Sequence, residues 1–368
     1  MKNLISAIAA TGAVLFVTSA SAQDDAGKKS PAIEPPALYE MKLTDGRLTG
    51  PGAKLIRARL PKAQFVLVGE EHGFAAGPRL AQALARAGRE HGLVHHVVET
   101  GPVSEEWATE ILNQGGWPAL GRALKDRPLA LPFLSMREDA ELARYFLANA
   151  PSDADVLWGV DQEFIGSPLL HFETLAGIAP DEEAKELAET LLAAERKAFA
   201  DGKQDALFLF SAGEQDFAEL RSAFGESRES AEIIDALEES AAIYQAFGQG
   251  KNYASNAERI ELIRSQFLEA YREAPGEAPR VLFKMGAIHL GRGTTFLNTF
   301  DLGSLTEGIA AANGLDVLRV LYMPLSGRYA KMTPFSESAF AMPNMTGRKF
   351  AKRSRPSGSR RTWWRKRA

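Results

Sequence analysis

Five short apolar runs rich in β-branched residues, at 65–68, 94–98, 156–160, 281–285 and 318–323, constrain what this chain can fold into more than any other feature. Stretches with helical spacing separate several of them, beginning with 78–89 and 105–112. Strands alternating with helices predict an α/β protein with a mostly parallel central sheet flanked by helices. Between the third and fourth runs lies a long helical stretch. It opens with Pro180 and three acids and places Leu187 and Leu191 one turn apart. Phe217, Leu220 and Phe224, then Ile233, Leu237 and Tyr244, then Ile260, Ile263 and Phe267 continue the helical pattern. These stripes read as core packing. The expected domain therefore spans 56–330, with a helical insertion at about 176–272 covering one side of the sheet.

The ends of the runs carry the chemistry. The first leads into Gly69-Glu70-Glu71-His72-Gly73 and the second into Glu99-Thr100-Gly101-Pro102. The third leads into Asp161-Gln162-Glu163 and the fourth into Gly286-Ala287-Ile288-His289, followed by Leu290-Gly291-Arg292-Gly293. In a parallel sheet these ends share one edge, where crevices open. Two histidines and several carboxylates are thus expected to converge there from four segments.

That set of side chains limits the reaction. The chain has no cysteine and no Gly-x-Ser-x-Gly elbow, so neither thiolate chemistry nor the usual serine nucleophile of α/β-hydrolases is expected. A histidine held by a carboxylate can deprotonate water near neutral pH. A second histidine or an arginine can stabilise the oxyanion formed when that water attacks a carbonyl. Nothing here demands a cofactor, since there is no His-Glu-x-x-His and no dense histidine cluster. A divalent metal would find a first shell in Glu70, His72 and His289.

The segments VLVGEEHGF, VVETGP, GVDQEF and KMGAIHLGRG, in this order with helices between them, resemble the erythromycin esterase family. They also resemble its wider superfamily, which includes ChaN-type haem-uptake proteins and TIKI/TraB-type proteases. The likeness extends over roughly 60–325 and is carried by the strand-end motifs. It implies that His72 is the general base acting on water, with Glu70, Glu99 and His289 as its catalytic companions. It further implies an arginine on the helix before the late strand, for which Arg259 is the nearest match and Arg264 the alternative. The one-residue spacing between Glu70 and His72 is that of the haem-uptake and protease branches, so a macrolide substrate is not implied. The protease branch uses a metal and the esterase branch is thought to work without one.

Further residues are expected to line the substrate side: Glu71, Asp161, Glu163, Arg259, Lys284 and Arg292. Lys284 lies inside an apolar run, where an unpaired charge is costly, and should face a carboxylate or the cleft. Asp161 and Glu163 could equally cap a helix. His91, His95, His96 and His171 read as structural or surface residues.

Two functions follow. One is hydrolysis of a small-molecule ester, lactone or amide by water activated at His72. The other is carriage of haem or another metal-containing ligand, on a His or Tyr axial ligand.

The ends of the chain bear on where this happens. Lys2, the apolar stretch from Leu4 to Val17 and Ala20-Ser21-Ala22 form a secretory signal, with cleavage expected near Ala22 and a periplasmic or secreted product. Residues 23–55 read as a linker or irregular lead-in. No transmembrane segment is expected after cleavage. From 348 to 368 there are ten Lys or Arg and no acid, and subtracting them from the formal net charge of −4 leaves −14 for residues 1–347. The 348–368 tail reads as a disordered basic appendage, and nucleic-acid binding is not expected of so acidic a body.

Overall fold

The computed structural model describes residues 37–151, 154–225, 227–295 and 298–324, with two-residue strands at 327–328 and 344–345. The expected signal segment at 1–22 and the basic tail at 348–368 lie outside the described residues.

Five parallel strands make the central sheet: β3 (Ala63–Glu70), β4 (Leu93–Val98), β5 (Leu157–Gly159), β6 (Arg280–Gly286) and β7 (Asp316–Leu321), in the order β5-β4-β6-β3-β7. Each expected apolar run is one of these strands. All eight residues of β3 are buried, because helices cover both sheet faces; this is why the run shows no polar alternation. The edge strand β7 is only partly covered.

On one face lie α2 (Ala76–Gly88), α3 (Pro102–Ala123) and α4 (Arg137–Leu147), packed on Val66, Val68, Val98 and Leu282. On the other, α10 (Asn252–Glu273) and α11 (Leu302–Ala312) pack on Phe65, Leu67, Val97 and Phe283. Phe65, Phe267 and Phe283 form a cluster of edge-on and tilted rings at its centre.

Between β5 and β6 the chain runs through helices alone. These are α5 (Pro168–Ile178), α6 (Glu182–Asp201), α7 (Phe208–Ser211), α8 (Glu214–Phe224), α9 (Arg228–Gly248) and then α10. α5 to α9 bury a separate core that includes Phe172, Phe217, Ile234 and Leu237. α10 returns to the sheet, so the stretch read as one insertion divides into a satellite bundle and a sheet-covering helix.

The lead-in expected to be irregular carries regular structure in its described part. A hairpin joins β1 (Lys42–Thr44) to β2 (Arg47–Thr49) through Asp45-Gly46, both at positive φ, and α1 (Pro51–Arg59) follows. The Asp-Gly pair supplies the turn that polar, three-residue strands do not advertise by hydrophobicity.

The strand order positions the site. β3 and β6 are neighbours, yet the helices that follow them, α2 and α11, lie on opposite faces. The carboxyl ends of β3 and β6 therefore flank a topological switch point, where a crevice opens.

Candidate active site

β3 ends at Glu70, and the turn after it reverses through Gly73 at φ 89, a conformation that favours glycine. This tight exit holds His72 over the sheet edge with its side chain 23 % exposed, whereas Glu70 is buried. Oε1 of Glu70 lies 3.3 Å from Nδ1 of His72. Oε2 of Glu99, the residue after β4 and Val98, lies 3.5 Å from Nε2 on the other side of the ring. The imidazole is therefore held between two carboxylates, and Phe133 covers one of its faces at 4.2 Å between centroids.

Glu99 is the hub. Its Oε2 accepts the backbone N–H of Gly286 at 2.7 Å, while Oε1 lies 3.5 Å from both Nη2 of Arg259 and Nε2 of His289. His289 is oriented from behind by Asp301, whose Oδ2 is 2.7 Å from Nδ1. Asp301 is also the N-cap of α11, accepting the N–H of Leu302. Arg259 reaches across from α10 and grips both oxygens of Asp161, with Nε donating to Oδ1 at 2.8 Å. This bidentate pair fixes the guanidinium plane.

Gly286 makes room at the centre. A Cβ there would lie 3.0 Å from Nε2 of His72, 3.6 Å from Oε1 of Glu99 and 3.7 Å from Cδ2 of His289. Its φ of −49° is ordinary, so glycine is needed for space and not for backbone freedom. The missing methyl leaves a notch faced by both histidines and the hub carboxylate.

Charge settles unevenly among these groups. Burial alone would lower the pKa of His72, but Glu99 and then Glu70 outweigh it and hold the imidazole at about 9. Burial would raise Glu99, yet His72, His289 and Arg259 hold it well below the usual carboxylate range. His289 is likewise raised despite burial, chiefly by its hydrogen bond to Asp301. At neutral pH the centre is thus an imidazolium beside an ionised Glu99.

Lys284 sits on β6 between Val68 and Val98 and is buried. Its ammonium contacts Oε1 of Glu70 at 2.8 Å and pairs closely with Asp139 on α4. It faces carboxylates inside the sheet and not the cleft, which corrects its placement on the substrate side. Arg292, also expected on the substrate side, is exposed and paired with Glu307. Glu163 is buried in a separate cluster, where it accepts from Ser104 and lies 2.8 Å from Nε2 of His171. Glu71 is exposed beside the site. Arg264 pairs with Glu261 at the surface, which leaves Arg259 as the arginine of the centre.

Four residues of the site escaped sequence reasoning. Asp139 looks like any acid in the first turn of a helix, and Asp301 like an ordinary cap. Phe133 lies in Pro128-Leu129-Ala130-Leu131-Pro132-Phe133, a segment too apolar for a surface loop, and that was its signal. Gly286 stood in a quoted motif without its purpose being legible.

Among the described residues no group of three or more acids and histidines is arranged to hold a metal ion.

Fold and site together define a class: a parallel α/β protein with an acid–histidine centre at a sheet switch point. No protein-family model matches the sequence, and no curated protein matches it. Among solved structures, a histidine-to-asparagine mutant of erythromycin esterase EreC in its open conformation shares the fold. Its TM-score is 0.56 at 16 % identity, covering 83 % of this chain and 82 % of that one. A Bacillus cereus protein aligns with a TM-score of 0.45 at 15 % identity, over 83 % of this chain and 76 % of its own. A succinoglycan biosynthesis protein aligns with a TM-score of 0.45 at 14 % identity, over 80 % and 74 %. The architecture is that expected from the strand-end motifs.

Proposed function

We propose that this chain is an exported hydrolase in which His72 draws a proton from water to attack an ester, lactone or amide carbonyl. The observation that carries the reading is the notch over Gly286, onto which Nε2 of His72, Glu99 and His289 all converge. With Nδ1–H donated to Glu70, a neutral His72 presents Nε2 as the acceptor for a water in that notch. As the water's oxygen bonds to the carbonyl carbon, its proton passes to Nε2 and negative charge moves to the carbonyl oxygen. His289, with Nδ1–H on Asp301 and Nε2–H against Glu99, can turn that second N–H to the carbonyl oxygen as charge develops there, and the leaving group then takes the proton back from His72. Arg259 is committed to Asp161 and Glu99, and its part is to keep Glu99 ionised.

The structural likeness to an erythromycin esterase supports hydrolysis as the reaction class. The short, apolar first segment ending in Ala20-Ser21-Ala22 supports export, and among the described residues no helix is long and apolar enough to cross a membrane.

The test is turnover of an ester, lactone and amide panel by wild type and His72→Ala, each with and without chelator. Hydrolysis lost in the variant supports the reading, and loss on chelation adds a metal to it. Equal absence of turnover in both proteins rejects it, and a visible absorption band on adding haem would then favour the binding function. N-terminal sequencing of protein recovered outside the cytoplasm should begin at Gln23.

A further inference from the structure

The chain of contacts that orients His72 does not stop at Glu70. Oε1 of Glu70 serves two partners, Nδ1 of His72 at 3.3 Å and Nζ of Lys284 at 2.8 Å, while Oε2 has no hydrogen-bond partner. Behind Lys284 stands Asp139, paired closely with the same ammonium. Lys284, Asp139 and Glu70 are each at most 4 % exposed, so no solvent competes for these contacts. Three consecutive charges of alternating sign thus run from α4, through the central strand β6, to the end of β3.

Such an arrangement is expensive unless it serves a purpose, because desolvating three charges offsets much of their attraction. Apolar residues at 139 and 284 would fill a buried site at less cost. A lone buried Glu70 would also be driven toward its neutral acid, which can turn an O–H toward His72 and reverse the hydrogen bond. With Lys284 in place, Glu70 is held below its ordinary pKa against the pull of burial.

We propose that Lys284 and Asp139 are positioning residues of the hydrolytic centre. Asp139 seats the ammonium of Lys284 on Oε1 of Glu70, and this keeps Glu70 an acceptor for Nδ1–H of His72, so that the proton-accepting nitrogen is Nε2, on the side of Glu99 and the notch. The inference rests on the hydrolase reading for its kinetic consequence but not for its structural one. Neither residue touches the notch, so the dyad acts on the rate of the chemical step and not on substrate affinity.

The experiment uses full-length wild type, Asp139→Asn, Lys284→Met, Glu70→Gln and the Lys284→Met/Glu70→Gln double variant, with circular dichroism and thermal melts to establish folding. Imidazole nitrogen spectra, with His72 assigned by comparison with His72→Ala, report the tautomer above the His72 pKa of about 9. Wild type should carry the proton on Nδ1. Asp139→Asn and Lys284→Met should shift a substantial fraction to Nε2–H. On any panel substrate turned over, kcat should fall by about 10- to 100-fold with KM changed less than about twofold. The double variant should lose no more than Glu70→Gln alone, since both changes act through one carboxylate.

An unchanged tautomer in folded Asp139→Asn or Lys284→Met overturns the proposal, as does an additive double variant or a loss confined to KM. If Lys284→Met does not fold, the nearly isosteric Asp139→Asn decides. If no substrate is turned over, the hydrolase reading fails while the tautomer still tests the positioning role.

Discussion

The two nitrogens of His72 face different carboxylates, and the pH dependence of the reaction follows from that. Only the neutral imidazole accepts a proton, so kcat/KM should climb as pH rises toward about 9. Replacing Glu70 with Gln removes one of the charges that hold the imidazole protonated, so the ascending limb should move to lower pH. A profile that stays flat or descends across that range would remove His72 from the role of base. Gly286→Ala probes the same point sterically. The backbone accepts alanine without strain, but its methyl would occupy the notch 3.0 Å from Nε2 of His72. Turnover should drop by about 100-fold with the melting temperature little altered, because excluding one atom from an aligned site costs orders of magnitude in rate. An active Gly286→Ala enzyme would show that the water binds elsewhere.

At the scale of elements, Asp301 does two things at once, and two substitutions separate them. Asparagine still caps α11 but withdraws the charge from His289, so Asp301→Asn should lose activity and keep its stability. Alanine surrenders both, and Asp301→Ala should also lose about 1 kcal/mol in denaturant unfolding. Equal stability of the two variants would mean that the cap contributes nothing. The same element scale explains what could be read from the chain in advance. Strands β3 to β7 were legible because burial on both faces demands unbroken apolar runs, and glycine, acid or histidine must follow where the chain turns at the crevice. His72, Glu70, Glu99 and His289 were legible for that reason. Lys284 was visible as an anomaly within β6, but its partner Asp139 comes from a helix 145 positions earlier, and helical periodicity does not say which first-turn acid meets which strand. The β1–β2 hairpin carries a single leucine in each three-residue strand, too short an alternation to read, so its Asp-Gly turn was the stronger signal.

For the molecule as a whole, the junction between the satellite bundle and the sheet rests on Glu163. Its carboxylate accepts from Ser104 at the start of α3 and meets His171 of α5, while its own N–H donates to Ser240 of α9. Glu163→Ala would strand buried donors on both sides and should cost about 3–5 kcal/mol, as expected for removing one member of a buried charged cluster. Hydrogen exchange should quicken first in α5 and α9; uniform exchange across the protein would mean that the bundle and sheet unfold as one unit. Glu163→Gln, which can still accept from Ser104, should cost less.

The position of β6 has a consequence for how the chain is made. This strand completes the middle of the sheet, yet it pairs with β3 more than 200 positions upstream, as the 214-residue separation of Glu70 and Lys284 records. Until β6 emerges during synthesis, β3 and β4 each wait with an open hydrogen-bonding edge and cannot close on one another without stealing the place of a missing strand. Non-local pairing of this kind slows folding and prolongs exposure of sticky edges. The same late arrival delivers Lys284, Gly286 and His289 together, so the candidate centre is absent from every shorter nascent chain and can form only once β6 has joined β4 to β3.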